Sequence, residues 1–132
     1  MKRLFCVAAA VLFIAGCKPS DSQVIKVGQA KLVEDLKDPE SAQFKGMFFH
    51  PDAKNSGSVA SGYVCGEING KNSFGGYVGF KRVYVHVKAE PRWYIPVLGI
   101  SYSVSDPFIV DEGDGLQTTI DKLNMYVSRC EK

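Results

Sequence analysis

The chain opens on an uninterrupted apolar run, Leu4 to Ala15, and then changes to patterns with the periods of secondary structure. From Ser20 to Lys37, the residues Ile25, Leu32 and Leu36 recur at helical spacing with Val33 beside them, which predicts a first helix. Ser20, followed three residues later by Gln23, has the form of a capping box. Gly28 interrupts this helix at a cost of about 1 kcal/mol relative to Ala, so its first turns are expected to fray. Asp38-Pro39-Glu40-Ser41-Ala42 stops it and starts a single turn, with Asp38 as cap and Pro39 at the first helical position. Phe44, Met47, Phe48 and Phe49 read as a first strand, and His50 to Gly57 as a polar loop. Further strands are expected over Val59 to Ile68, Gly76 to Lys88 and Trp93 to Val104, with Ala89-Glu90-Pro91 between the last two. Val83, Val85 and Val87 alternate with Tyr84, His86 and Lys88, giving that strand one buried and one wetter face. Val78 and Phe80 have the opposite parity, which calls for a bulge near Lys81-Arg82 or for cover on both faces. In the last segment Leu116, Ile120, Leu123, Val127 and Cys130 fall on one helical stripe, and Asp114 with Gln117 makes a second capping box. The expected fold class is α+β: an antiparallel sheet of about four strands with an N-terminal and a C-terminal helix.

The leading apolar run follows Lys2 and Arg3 and ends at Ile14-Ala15-Gly16-Cys17. It falls short of the roughly 20 residues that span a bilayer, and small residues precede the Cys, so cleavage is expected. The tetrapeptide resembles the bacterial lipobox, in which the Cys is diacylated, the peptide is cut before it and the new amino terminus is acylated, commonly with palmitate. The chain then divides into a signal peptide over 1–16, a short lipidated tether over 17–22 that begins at Cys17, and a single periplasmic domain over 23–132. Lys18 stands where an inner-membrane retention signal usually carries Asp. Resemblance to enterobacterial sorting therefore favours an outer-membrane anchor facing the periplasm. So short a tether reaches at most about 18 Å, which keeps the domain against the membrane.

Charge and cysteine usage follow from that division. The chain holds 16 Lys+Arg and 14 Asp+Glu; removing Lys2 and Arg3 leaves 14 of each. No basic field remains to recruit nucleic acid. A 45% hydrophobic content excludes a disordered chain. Of four cysteines, Cys6 leaves with the signal and Cys17 takes the lipid, so Cys65 and Cys130 are expected to form a disulfide in an oxidising compartment. They lack the C-x-x-C spacing of a redox pair, which makes the bridge structural.

The segment CGEINGKNSFGGYVGF, residues 65–80, concentrates five glycines where strands are otherwise expected. Asn69-Gly70 is a strong signal for a two-residue type I′ hairpin pairing Ile68 with Lys71; a longer loop from Gly70 to Ser73, with Asn72 left-handed, is the alternative. Gly75, Gly76 and Gly79 are expected on the returning strand, where they would admit a closely packed helix and strand curvature. A phosphate cradle is excluded, because G-x-x-x-x-G-K-[ST] is absent and the glycines lead into a strand. Asn69, Lys71, Asn72 and Ser73, flanked by Phe74 and Tyr77, form a polar tip and the candidate interaction surface.

DPESAQFK and CGEINGKNSFGGYVGFKR together resemble a family of small, uncharacterised proteobacterial and prophage-associated envelope lipoproteins built around D-P-x-S-A-x-F and C-G-x-x-N-x-K-N-S-x-G-G-Y-x-G-F. The resemblance spans about residues 34–88, with a closing helix that ends in Arg129-Cys130. It implies an export signal and this type of architecture, and it carries no assigned activity.

Candidate chemistry is sparse. His50 and His86 have no Cys, His or carboxylate at metal-ligand spacing and read as surface histidines. Asp111, Glu112 and Asp114 depart from a calcium-loop pattern, and acids at a helix start answer to the dipole. Neither G-x-S-x-G nor H-E-x-x-H occurs. Tyr63, Tyr77, Tyr84, Trp93, Tyr94 and Tyr102 give the strands an aromatic excess, mostly core or cross-strand pairs, with some available for recognition. No catalytic set, metal or cofactor is expected. The leading expectation is a non-enzymatic binding module held at the membrane by its N-terminal lipid. Its partner would be an envelope protein, peptidoglycan or, for a prophage-encoded chain, a phage or host surface component. An inhibitor of an exported hydrolase such as lysozyme is the alternative, and an enzyme using the tip with Glu67 or His86 comes last.

Overall fold

A computed structural model of the chain describes residues 18–55, 57–92, 99–105, 107–111, 113 and 115–131. The signal segment, Cys17, Trp93, Tyr94, Glu112 and Asp114 lie outside them. Helix α1 (Asp21–Val33) is followed by a 3-10 turn (Pro39–Ser41), strands β1 (Gln43–Pro51), β2 (Ala60–Asn69), β3 (Lys81–Pro91), β4 (Ile100–Val104) and β5 (Phe108–Ile109), and helix α2 (Leu116–Cys130). The sheet is antiparallel in the order β1-β2-β3-β4, and β5 pairs with β3 beside β4. The fold is therefore α+β with a helix at each end of the chain, and Cys65 is bonded to Cys130.

Each helix takes one face of the sheet. Side chains alternate along strands, so Ala60, Val64 and Ile68 of β2 share a face with Val83, Val85, Val87 and Ala89 of β3. That face is buried together with Val24 and Leu32 of α1. The opposite face carries Cys65 of β2, which joins Val110, Tyr126 and Cys130, with Tyr63, Tyr84, Phe108 and Leu123 packed alongside. Ser20 caps α1 with the complete capping box expected of it. The stripe it buries runs through Val24, Gly28 and Leu32, while Ile25 and Val33 lie at its margin.

Gly28 does not mark a fraying end. A Cβ placed there would lie 2.8 Å from Val64 Cβ, so glycine is what lets helix and sheet touch. The same contacts orient α1. Gly28 lies against Val64 and Leu36 against Gly70, so the helix runs in the sense of β2 and its N-terminus lies at the sheet end where β2 begins.

Several expected boundaries differ. The returning strand begins at Lys81 instead of Gly76, and the register pairs Ile68 with Lys81, so 70–80 is a connection in which neither a two-residue turn nor a bulge at Lys81-Arg82 arises. Gly75 and Gly79 have φ of +81° and +97° with nothing within 4 Å of a built Cβ, so they serve loop conformation instead of helix packing. Strand β4 begins at Ile100, and β5 was not anticipated. Helix α2 has Gly115 at its cap and no side-chain cap, and Asp114, expected to form a box with Gln117, lies outside the described residues. Its expected stripe is only partly covered: Tyr126 and Cys130 are buried, whereas Leu116, Ile120 and Val127 remain in solvent.

Candidate binding site

The connection 70–80 is held by its own asparagines. Asn69, 7% exposed, accepts a hydrogen bond on Oδ1 from Gly79 N at 3.0 Å and closes the base of the loop. Asn72 Oδ1 accepts from both Phe74 N and Gly76 N at 3.0 Å, and Asn72 N donates to Gly76 O at 2.8 Å. Lys71 and Tyr77 form an isolated bridge, with the Lys71 ammonium 5.5 Å from the Tyr77 ring centre. Lys71 N also donates to Ser41 Oγ at 2.9 Å, tying the loop to the 3-10 turn. These bonds brace a turn that has no core of its own. Phe74 is 97% exposed at the tip.

Of the residues singled out from sequence, Lys71, Asn72, Ser73 and Tyr77 do come together on this tip. Asn69 does not; it is buried and structural. Sequence reasoning missed the apolar part of the surface. Val78 and Phe80, expected on a strand, are exposed, and so are Leu116, which is 80% exposed, and Ile120 at the start of α2. A cleft of about 670 Å³ opens between the returning arm of the loop and α2. Glu67, Val78, Phe80, Arg82, Thr119 and Leu123 are among its lining residues. Leu116 and Ile120 precede Leu123 on the same helix face and extend this wall into solvent. The charges inside are partly matched: Lys45 pairs with Glu67 at 3.5 Å and lies over Phe80, Lys81 pairs with Asp111 at 3.0 Å, and Arg82 lies over the Tyr126 ring. The Lys81 ammonium holds the Asp111 carboxyl below its usual range. Loop and cleft occupy the sheet end where β2 finishes, opposite the N-terminus of α1.

A second polar cluster lies toward the other end, on the face shared with α2. His86 Nε2 is 2.9 Å from Asp52 Oδ2, and Ser61 Oγ donates to the same oxygen at 2.6 Å. His50 and His86 thus differ from the sequence expectation in one respect: the register brings a carboxylate to His86 from 34 residues away. Ser61 also lies 3.3 Å from Nε2. A relay would need one ring nitrogen for the hydroxyl and the other for the acid; here both partners meet Nε2, and the hydroxyl proton is given to Asp52. The cluster ties the β1–β2 turn to β3. Tyr63 stands edge-on to both Tyr84 and His86, Tyr84 stacks on Phe108, and Arg129 donates to Tyr63 Oη at 2.6 Å. No group of three or more metal-ligating side chains converges among the described residues.

Burial works against the ionised form of Asp52, but the Ser61 hydroxyl, the His86 ring and the charge of His50 together hold its carboxyl below the ordinary value of 3.8. Its folded pKa being the lower one, Asp52 contributes stability above the unfolded value, and this is lost as the pH falls through the folded value. The side chains are about a third exposed, so the contribution stays under about 1 kcal/mol. Melting curves of wild type and Asp52→Asn are expected to separate at pH 5 to 6 and to converge near pH 2; a constant gap would assign the loss to packing.

No protein-family model matches this chain, and neither a curated protein nor a solved structure matches it.

Proposed function

We propose that the chain is a lipid-anchored protein of the bacterial envelope, held by Cys17 on the periplasmic side of the outer membrane, whose domain is a non-enzymatic binding module. The observation that carries the reading is the exposure of Val78 and Phe80 in the lining of one cleft, with Phe74 and Tyr77 exposed on the same loop and Leu116 and Ile120 exposed on the helix that gives Thr119 and Leu123 to the other wall. Exposed apolar side chains concentrated at one place, with charges among them, have the composition of a recognition surface. Helix α1 is about 20 Å long, and its N-terminus lies at the opposite end of the sheet. A lipid on Cys17 would leave the cleft facing away from the bilayer, toward envelope proteins or peptidoglycan. The apolar rim suits a protein partner better than a glycan. The resemblance to envelope lipoproteins agrees with this reading.

Palmitate labelling with membrane fractionation tests the anchor. Wild type is expected to incorporate label and to sediment with outer membranes, and Cys17→Ala to do neither; a labelled or membrane-held variant removes the anchor. Photo-crosslinking from position 80, compared with position 88 at the other end, tests the module. One adduct from position 80, lost in Leu116→Ser, is the expected outcome; equal adducts from both positions would remove the site.

The hydrogen-bonded stiffness of the loop favours a second reading, an inhibitor that inserts Phe74 into the active cleft of an exported hydrolase such as lysozyme. Preorganised loops lose little entropy on insertion. Inhibition of a lysozyme by wild type, abolished in Phe74→Ala, would replace the first reading with this one.

A further inference from the structure

We infer that the cavity on the other side of Val78 and Gly79 binds a small amphiphilic anion, a single carboxylate or phosphate carried on an apolar body. The cavity has a volume of about 450 Å³, within the roughly 300–1,000 Å³ of small-ligand sites. Its apolar floor is made by Leu36 after α1, Ile68 at the end of β2, Val78 in the loop and Ile109 in β5. Four segments distant in sequence thus converge on one pocket, and the hydrogen bond from Gly79 to Asn69 holds its wall in place.

The rim is cationic. Lys37, Lys71, Lys81 and Lys122 line the cavity against Asp35 and Asp111, in a chain whose charges balance once the leading Lys2 and Arg3 are set aside. Asp111 already answers to Lys81 at 3.0 Å, and Lys122 also acts on it electrostatically. Lys71 is kept at the mouth by its contact with Tyr77. Two positive charges therefore remain above a floor that gains by excluding water. An apolar body would cover the floor, and its anionic end would meet the ammonium groups. Lysines act as point charges without the planar fork that selects a carboxylate geometry, so carboxylate and phosphate share this chemistry. The cavity adjoins the cleft proposed for a protein partner and shares Val78, Gly79, Lys81 and Asp111 with it, while Leu36, Lys37, Ile68, Lys71 and Ile109 line the cavity alone; the inference does not depend on the lipid anchor.

The test is a titration of residues 18–132, which hold every buried residue among those described, followed by ¹H–¹⁵N correlation spectra with decanoate, decyl phosphate, decanol and decyltrimethylammonium as probes. The anions are expected to shift the amides of Ile68, Gly70, Lys71, Gly79 and Ile109 and to bind about tenfold more tightly than decanol, with the cation weakest; added salt should narrow the gap. Tighter binding of decanoate would name the carboxylate, and of decyl phosphate the phosphate, as the native head group. Lys37→Gln with Lys71→Gln, both surface changes, should weaken the anions about fivefold and leave decanol unchanged. Val78→Glu, in a half-exposed loop position, should abolish anion binding. Equal affinity for decanol and decanoate, shifts confined to Phe74 and Phe80, or no shifts would overturn the inference.

Discussion

Replacing Cys65 and Cys130 together with alanine is expected to lower the unfolding free energy by about 4 kcal/mol and to release α2 first. The bridge closes a loop with a sequence separation of 65, long enough for the chain-entropy model to assign it most of that value. The local reason is stronger. Leu116, Ile120 and Val127 contribute little burial, so α2 is held by Tyr126, Leu123 and Cys130, by the Arg129 bond to Tyr63 and by the Arg82–Tyr126 contact. A helix with so few buried contacts and no side-chain cap depends on its staple. Urea titration should show a lower midpoint, and hydrogen exchange should show α2 amides losing protection well before those of Val83, Val85 and Val87. Retained protection in α2 would mean that packing alone holds the helix.

Gly28→Val is expected to cost about 3 kcal/mol, the upper range for overpacking a close contact. A Cβ at position 28 would approach Val64 Cβ at 2.8 Å and both its γ carbons at 2.9 Å. Val64 cannot yield: it is fully buried, branched at Cβ and paired to Phe49 on one side and Val85 on the other. The helix would have to slide off the sheet. Gly28→Ala should lose about 1 kcal/mol, because its gain of about 1 kcal/mol in helix propensity offsets part of the clash. Adding Val64→Ala to Gly28→Ala should recover stability relative to additivity, since the two changes share one contact. Gly76→Val provides the control. Only the Asn72 side chain lies within 4 Å there, at 3.7 Å, so the effect should stay within about 0.5 kcal/mol. Equal melting temperatures for wild type and Gly28→Val would remove the close helix–sheet contact; a large loss in Gly76→Val would return that glycine to a packing role.

How far the site was legible depends on what each signal encodes. The tip residues Lys71, Asn72, Ser73 and Tyr77 could be found because Asn and Gly near a polar run mark chain reversal directly. Phe80 and Val78 misled because a β-like composition before Val83 extends the strand pattern by default, whereas the side-chain oxygens of Asn69 and Asn72 accept from the backbone N–H groups of Gly79 and Gly76 in place of a strand partner. Leu116 and Ile120 misled for a different reason. An amphipathic period says that one face is apolar, not that anything covers it. The Asp52–Ser61–His86 cluster needed the register of three strands, which no spacing in the chain records.

The sequence by itself determined the two helices, the cores of β1 to β4 and the staple. Alternating valines made β3, the Ser20–Gln23 box started α1, and two unclaimed cysteines on opposite sides of the chain specified the bridge, because each of these signals is local or a matter of counting. Tertiary structure alone decided which glycine mattered, which apolar faces stayed open, and where the cleft and the cavity formed. Those outcomes depend on the distance between surfaces that meet only after the chain has folded: Gly28 against Val64, Leu36 against Gly70, and the first turns of α2, where Leu116 and Ile120 stay exposed.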